Sequence, residues 1–293
     1  MSVRDQKLRN AFDFLMAPGR FVDPDKPHTS DHRYETAEGD LCSVHLEAMH
    51  FPGVESLEKV WEALLFHYNT IEIGISERLG HTTVRDDYDN IDGSVYNIRI
   101  LSQSENCTAV ESSIVTFSHF FTESDKGFGG RACGILALDS VDEDELYPYF
   151  PDKRVRLDTS GAIILTASRQ PAKDPESEGE AELVVTLRRA AFLKLYNPQF
   201  PVSEATRQEL QAGIGRWGDV LMKTVHYGGV WCVFFHNVCL PDLESIKQVY
   251  DAVVSIQSAD IMITERLGHV TTRGDYSIED YNIFTIGLYQ QTM

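Results

Sequence analysis

Residues 75–88 read Ile-Ser-Glu-Arg-Leu-Gly-His-Thr-Thr-Val-Arg-Asp-Asp-Tyr, and residues 263–276 read Ile-Thr-Glu-Arg-Leu-Gly-His-Val-Thr-Thr-Arg-Gly-Asp-Tyr. The match includes the unbroken identity of Glu77–His81 with Glu265–His269. It continues to Tyr96-Asn97-Ile98 against Tyr281-Asn282-Ile283, and upstream Pro52–Ala63 follows the pattern of Pro241–Ala252. Self-similarity at this level marks a repeated structural unit and constrains the fold more than any other feature. The copies are unequal, because the second has no counterpart of residues 107–225. Three parts are expected: a helical extension over 1–30, a complete domain over 31–225, and a partial second copy over 226–293 that cannot close the same fold alone.

Within the first copy, residues 40–51 read as a strand stopped by Pro52-Gly53, and Leu57, Val60, Trp61, Leu64 and Leu65 give the one-sided period of a helix over 54–68. Runs rich in β-branched and aromatic residues follow at 70–84, 96–102, 108–122, 131–139, 161–169 and 182–196, separated by turn-formers such as Asp92-Gly93 and Lys126–Gly130. They predict an antiparallel meander. Pro201-Val202-Ser203 then opens a helix of about 23 residues, with Ser203 as N-cap. Its apolar stripe is Leu210, Ile214, Trp217, Leu221 and Val225. Gly213, Gly215 and Gly218 lie inside it, each costing roughly 1 kcal/mol relative to alanine. Close packing on the sheet or room for a ligand beneath the helix would explain them.

Strand, helix, meander and long closing helix is the order of the helix-grip fold, and in this the chain resembles START-like lipid-transfer domains. The phrases "ISERLGHTTVRDD", "ALDSVDEDELYPYFPDKRVRLD" and "GRWGDVLMKT" are similar to those of the oomycete START-like proteins often labelled mating-specific. The resemblance implies an α+β fold, an antiparallel sheet wrapped around a long C-terminal helix, and a cavity between them that binds a lipid or other apolar molecule. It implies no chemistry.

Charge and composition exclude other classes. Lys and Arg total 26 against 45 Asp and Glu, a formal charge of −19 that repels phosphate backbones and acidic lipid surfaces. The hydrophobic fraction of 42% supports a real core. No stretch approaches the ~18 apolar residues of a membrane span, and the charged start Met1–Lys7 does not read as a secretory signal. Five scattered cysteines without a C-x-x-C pair read as reduced thiols, so a cytoplasmic protein is expected.

Chemistry-bearing residues are few. On an uninterrupted strand Glu77 and His81 would share a face with Ile73, Ile75 and Leu79, aiming a carboxylate and an imidazole at the cavity. Such a pair could orient a polar headgroup, act as acid and base, or serve only as a folding network. Phe117 and His119, on an aromatic strand, and Arg188, which beside Arg189 on the strand before the closing helix could clamp an anionic head if it points inward, are further ligand candidates with Ile214, Trp217 and Leu221 of the closing helix. Phe128, in the glycine-rich turn, is a candidate gate. The acidic runs 86–92 and 139–145 break the EF-hand spacing, and no histidine set has metal-ligand spacing, so neither metal nor cofactor is expected. No nucleophile motif stands out.

The reading is a non-enzymatic START-like module that binds a lipid or apolar small molecule. The alternatives are an acid–base enzyme using Glu77 and His81, and an interaction scaffold that self-associates through the open edge of the incomplete copy.

Overall fold

The computed structural model describes residues 2–21, 23, 26–87, 95–104, 108–125, 128, 130–171, 181–225, 270–273 and 288–291. The chain divides into two compact units, Met1–Trp231 and Cys232–Met293.

The first unit is built on one sheet. Its elements in chain order are α1 (Val3–Met16), β1 (His28–Glu35), β2 (Leu41–Pro52), α2 (Leu57–Asn69), α3 (Ile71–Leu79), β3 (Thr82–Asp87), β4 (Val95–Gln103), β5 (Ala109–Phe121), β6 (Cys133–Ser140), β7 (Arg154–Pro171), β8 (Ala181–Leu195) and α4 (Glu204–Val225). The eight strands lie in the order β1-β2-β8-β7-β6-β5-β4-β3. Neighbours pair antiparallel throughout, and β8 returns to β2 with Leu41 opposite Leu195 and Pro52 opposite Val184. Two helices inserted after β2, a meander, and a closing helix after the strand that returns to β2 constitute the helix-grip architecture.

β7 is long because, besides β8, it serves two neighbours along its other edge. Its second half pairs with β6 and its first residues pair parallel with β5, Ala109 opposite Arg154. The switch falls at Gly161, where an added Cβ would stand 2.5 Å from the Ala190 carbonyl oxygen, so only glycine allows the strands to approach this closely.

The two faces of the sheet are covered differently. On one, α2 buries Leu57, Trp61, Leu64 and Tyr68 against Ile98, Ile114, Leu136, Ile163 and Leu187. Ser56 caps this helix by accepting from the Lys59 N–H. Trp61 lies so close to β6 that a Cβ on Gly134 would be 2.4 Å from its ring. α4 closes the same face at the other end, packing Ile214 and Leu210 on Val110, Leu157, Leu193 and Leu195. The Ser203 hydroxyl accepts from the Thr206 N–H at 3.1 Å, as a cap should. On the opposite face α1 seats Leu8, Ala11 and Leu15 on Phe117, Ile135, Ala137 and Ile164. Its own start is a capping box between Ser2 and Asp5.

One expected element is different. Residues 70–84 do not form a single strand: Ile71–Leu79 is helix α3, and only Thr82–Asp87 is extended. Isoleucines lower helix propensity only modestly. Their spacing places Ile71, Ile75 and Leu79 on one helical face, and Gly80, with φ 70° and ψ 23°, ends the helix by donating its N–H to the Ser76 carbonyl at 3.0 Å. In the second unit, β9 (Val270–Arg273) pairs antiparallel with β10 (Leu288–Gln291). By the sequence match, β9 occupies the positions of Thr82–Arg85 in β3.

Candidate functional site

Side chains alternate along a strand, so every second residue of β4, β5, β7 and β8 faces α2, α3 and α4. The inward positions run Ile98, Ile100, Ser102 and then Ser104 along β4 and just beyond it, opposite Ile114, Ser112 and Val110 of β5. On β7 they are Ile163, Gly161, Thr159 and Leu157, opposite Arg189, Ala191, Leu193 and Leu195 of β8. These rails form one trough containing two hollows.

The larger hollow is lined by six isoleucines, Ile71, Ile75, Ile98, Ile100, Ile114 and Ile163, with Tyr68, Ala191 and Arg189. Its cavity volume is about 70 Å³, inside about 710 Å³ of space free of protein atoms when the open mouth is counted. Arg189 is its one charged wall residue and is only 2% exposed. Nη2 lies 3.3 Å from Glu47 Oε2, and that oxygen lies 3.3 Å from His45 Nε2. A buried guanidinium requires such a partner, because an unpaired charge in an apolar wall is expensive. Tyr68 donates to or accepts from Thr116 Oγ1 at 2.8 Å, and burial pushes its phenol up to about 12.

The smaller hollow lies under the first half of α4. His81, Ser104, Thr206 and Glu209 give it a polar side, Val110 and Leu157 an apolar one, and its volume is about 20 Å³. Gly213 lines it, and a Cβ there would meet nothing within 4 Å. At this glycine the space beneath the helix is open. The glycine stop of α3 delivers His81 to the hollow. Thr83 Oγ1 donates to Ser102 Oγ at 3.2 Å, and the same oxygen hydrogen-bonds with His81 Nδ1 at 2.8 Å. A Ser102 hydroxyl that donates to Nδ1 leaves the ring proton on Nε2, the nitrogen 3.6 Å from Glu209 Oε1. Burial holds the His81 pKa below its ordinary value, opposed by Glu209 and reinforced by Arg216.

The candidate residues scatter. His81 and Ile214 meet in the smaller hollow. Glu77 lies on α3, not on a strand shared with His81, and its side chain is outside the described residues, as are those of Trp217 and Leu221 on α4. Phe117, His119 and Arg188 face α1 and not the trough. Phe117 packs under Leu8 and Leu15, His119 Nδ1 accepts from Arg4 Nη2 at 2.6 Å, and Arg188 Nη1 reaches Thr166 Oγ1 at 3.4 Å and Met16 Sδ at 3.9 Å. The cause is strand phase: Ile164, opposite Arg188, belongs to the α1 side, and Ile163, opposite Arg189, belongs to the trough. Phe128 likewise is buried against Phe12 of α1, with the Arg9 guanidinium 4.1 Å above its ring, and is not a gate to the trough. Sequence reading missed Glu47, Ser104 and Glu209, and chose Arg188 of the Arg188-Arg189 pair where the trough holds Arg189. The i, i+4 spacing of Ile71 and Ile75 was the available sign of α3. Among the described residues no group of three His, Cys, Asp or Glu side chains could hold a metal ion, and no helix is long and apolar enough to cross a membrane.

No protein-family model matches the chain, and no curated protein is similar to it. Among solved structures it is similar to human STARD10, with 11% identity, coverage of 77% of this chain and 81% of that one, and a TM-score of 0.39. It is similar to protein Ms6760 from Mycobacterium smegmatis (10% identity, 68% and 95% coverage, TM-score 0.28) and to Ara h 8.0201 (8%, 62% and 99%, 0.25). The helix-grip assignment stands on the chain's own strand order and on the placement of α2, α3 and α4 over one face of the sheet.

Proposed function

We propose that the chain binds an apolar, lipid-like small molecule in the trough between the sheet and α2–α4, without catalysing its conversion. The observation that carries this reading is a hollow walled by six isoleucines, in which the one charged lining residue, Arg189, is buried and paired with Glu47. Apolar pockets with few polar groups are the usual form of small-molecule sites. A cavity of about 70 Å³ has room for a few waters, so a lipid-sized molecule enters by displacing the helices that roof it. The three phrases similar to oomycete START-like proteins support the same reading. The buried free thiols of Cys42 and Cys133, the latter pushed up to about 11 by burial, suit a reducing compartment such as the cytoplasm.

The purified chain is expected to carry extractable apolar molecules, identifiable by mass spectrometry, and to bind the fluorescent probe 1-anilinonaphthalene-8-sulfonate. Ala191→Trp, which plugs the larger hollow, should weaken probe binding at least tenfold while the far-ultraviolet circular dichroism is unchanged. An empty extract together with probe binding that Ala191→Trp leaves intact would overturn the reading.

A further inference from the structure

We propose that the smaller hollow reads a hydroxyl group: it holds the alcohol end of a molecule whose hydrocarbon part occupies the larger hollow, an inference that rests on the apolar-ligand reading above. Ser104 Oγ carries the argument. Its side chain lines this hollow, the residue is 9% exposed, and the oxygen has no hydrogen-bond partner among the described residues. A buried hydroxyl left unmatched is costly, and such a group in a native fold marks a place where something else binds.

The neighbours define what fits. His81 Nε2, on the side of Glu209, presents a proton when the Ser102 hydroxyl donates to Nδ1, and Glu209 presents carboxylate oxygens. The two atoms are 3.6 Å apart and form a loose ion pair, so a hydroxyl oxygen lying beside the pair, and not between them, reaches both. The hollow therefore offers a donor, an acceptor and a serine that can be either. An alcohol has one proton and two lone pairs, which match that set: it donates to Glu209 and accepts from His81 and Ser104. A carboxylate would have to sit against Glu209. An ammonium group could donate to Glu209 and Ser104 but has no lone pair for the His81 N–H, so it matches the set less completely. Exposed Arg216, two turns along α4 from Glu209, also acts on His81 but does not line the hollow.

Size restricts the choice further. A volume of about 20 Å³ accepts one small group of about the bulk of a water and excludes a phosphate ester or a sugar. The rails through Ser112 and Thr159 connect this end with the isoleucine-lined end, so head and tail can be held at once.

The test is displacement of 1-anilinonaphthalene-8-sulfonate from the full chain at pH 7.5 by 1-dodecanol, dodecanoate and dodecylamine. Dodecanol should bind at least tenfold more tightly than either charged analogue. Ser104→Ala should cut dodecanol affinity about fivefold and Ser104→Thr restore it, whereas Glu209→Gln should raise dodecanoate affinity at least fivefold. If the acid or the amine binds as tightly as the alcohol, or if Ser104→Ala leaves the preference intact, the hydroxyl site is overturned while the apolar-ligand reading stands. If the probe itself does not bind, both fall.

Discussion

His81 sits where the end of one helix, the second strand of the meander and the closing helix meet. Burial lowers its pKa, so in the folded protein it resists the proton that the unfolded chain accepts near 6.5. The sign follows from linkage: stability is complete above about pH 6.5 and is lost as the pH falls from there toward the folded value. His119 is lowered in the same direction, by burial first and by Arg4 next. Urea midpoints measured between pH 7.5 and 5.5 should fall on acidification, and His81→Gln should flatten that slope. An unchanged slope would show that His81 is not the titrating group. The lowered carboxyls Asp31 and Asp40 act in a separate, lower window, as the pH drops below their ordinary value of 3.8. At this scale the sequence was least legible. Composition pointed to a basic pair on β8, but whether Arg188 or Arg189 turned inward depended on strand phase. An arginine beside alternating apolar residues carries no mark of which face will be covered by α4 and which by α1.

At the scale of elements, α1 is a structural cover on the sheet. Leu8 is fully buried, and Lys7 forms an ion pair with Asp139 at the end of β6. Leu8→Asp would place an unpaired charge against Phe117, Ile135 and Ile164, at a cost of about 3 kcal/mol or more. The expected result is a melting temperature several degrees lower, with increased 1-anilinonaphthalene-8-sulfonate fluorescence that apolar ligands do not displace. Unchanged melting would show that α1 does not hold this face. The sequence made most elements legible. The Ser203 cap and the glycine-rich turns were local signals, and the strands alternated as half-buried strands do. α3 was hidden because Ile71-Glu72-Ile73-Gly74-Ile75 carries β-branched residues at both helical and strand spacings. The glycine stop at position 80 settled the choice.

For the whole molecule, one sheet is occupied on both faces for different purposes. The α1 face is packed with Phe117, Phe128 and Ile164, while the other face leaves two hollows beneath its helices. The order of elements in the sequence indicated the sheet, the helix after β2 and the closing helix, but not that α1 would cover the far face. It could not indicate the hollows, because a void is a property of side chains from several strands and not of any run of residues. Gly213 was the exception, as a helix glycine with space beneath it. The in-register inward rows have a consequence for ligand length. From Ile98 to Ser104 the backbone advances six residues, or about 20 Å at the usual rise of an extended chain. The trough is therefore a gauge. A straight-chain alcohol too short to touch both ends gains from one and forfeits the other. Across a homologous series, affinity should climb with each carbon until the molecule reaches from end to end, then level off, and a calorimetric titration of that series would show whether the plateau falls there.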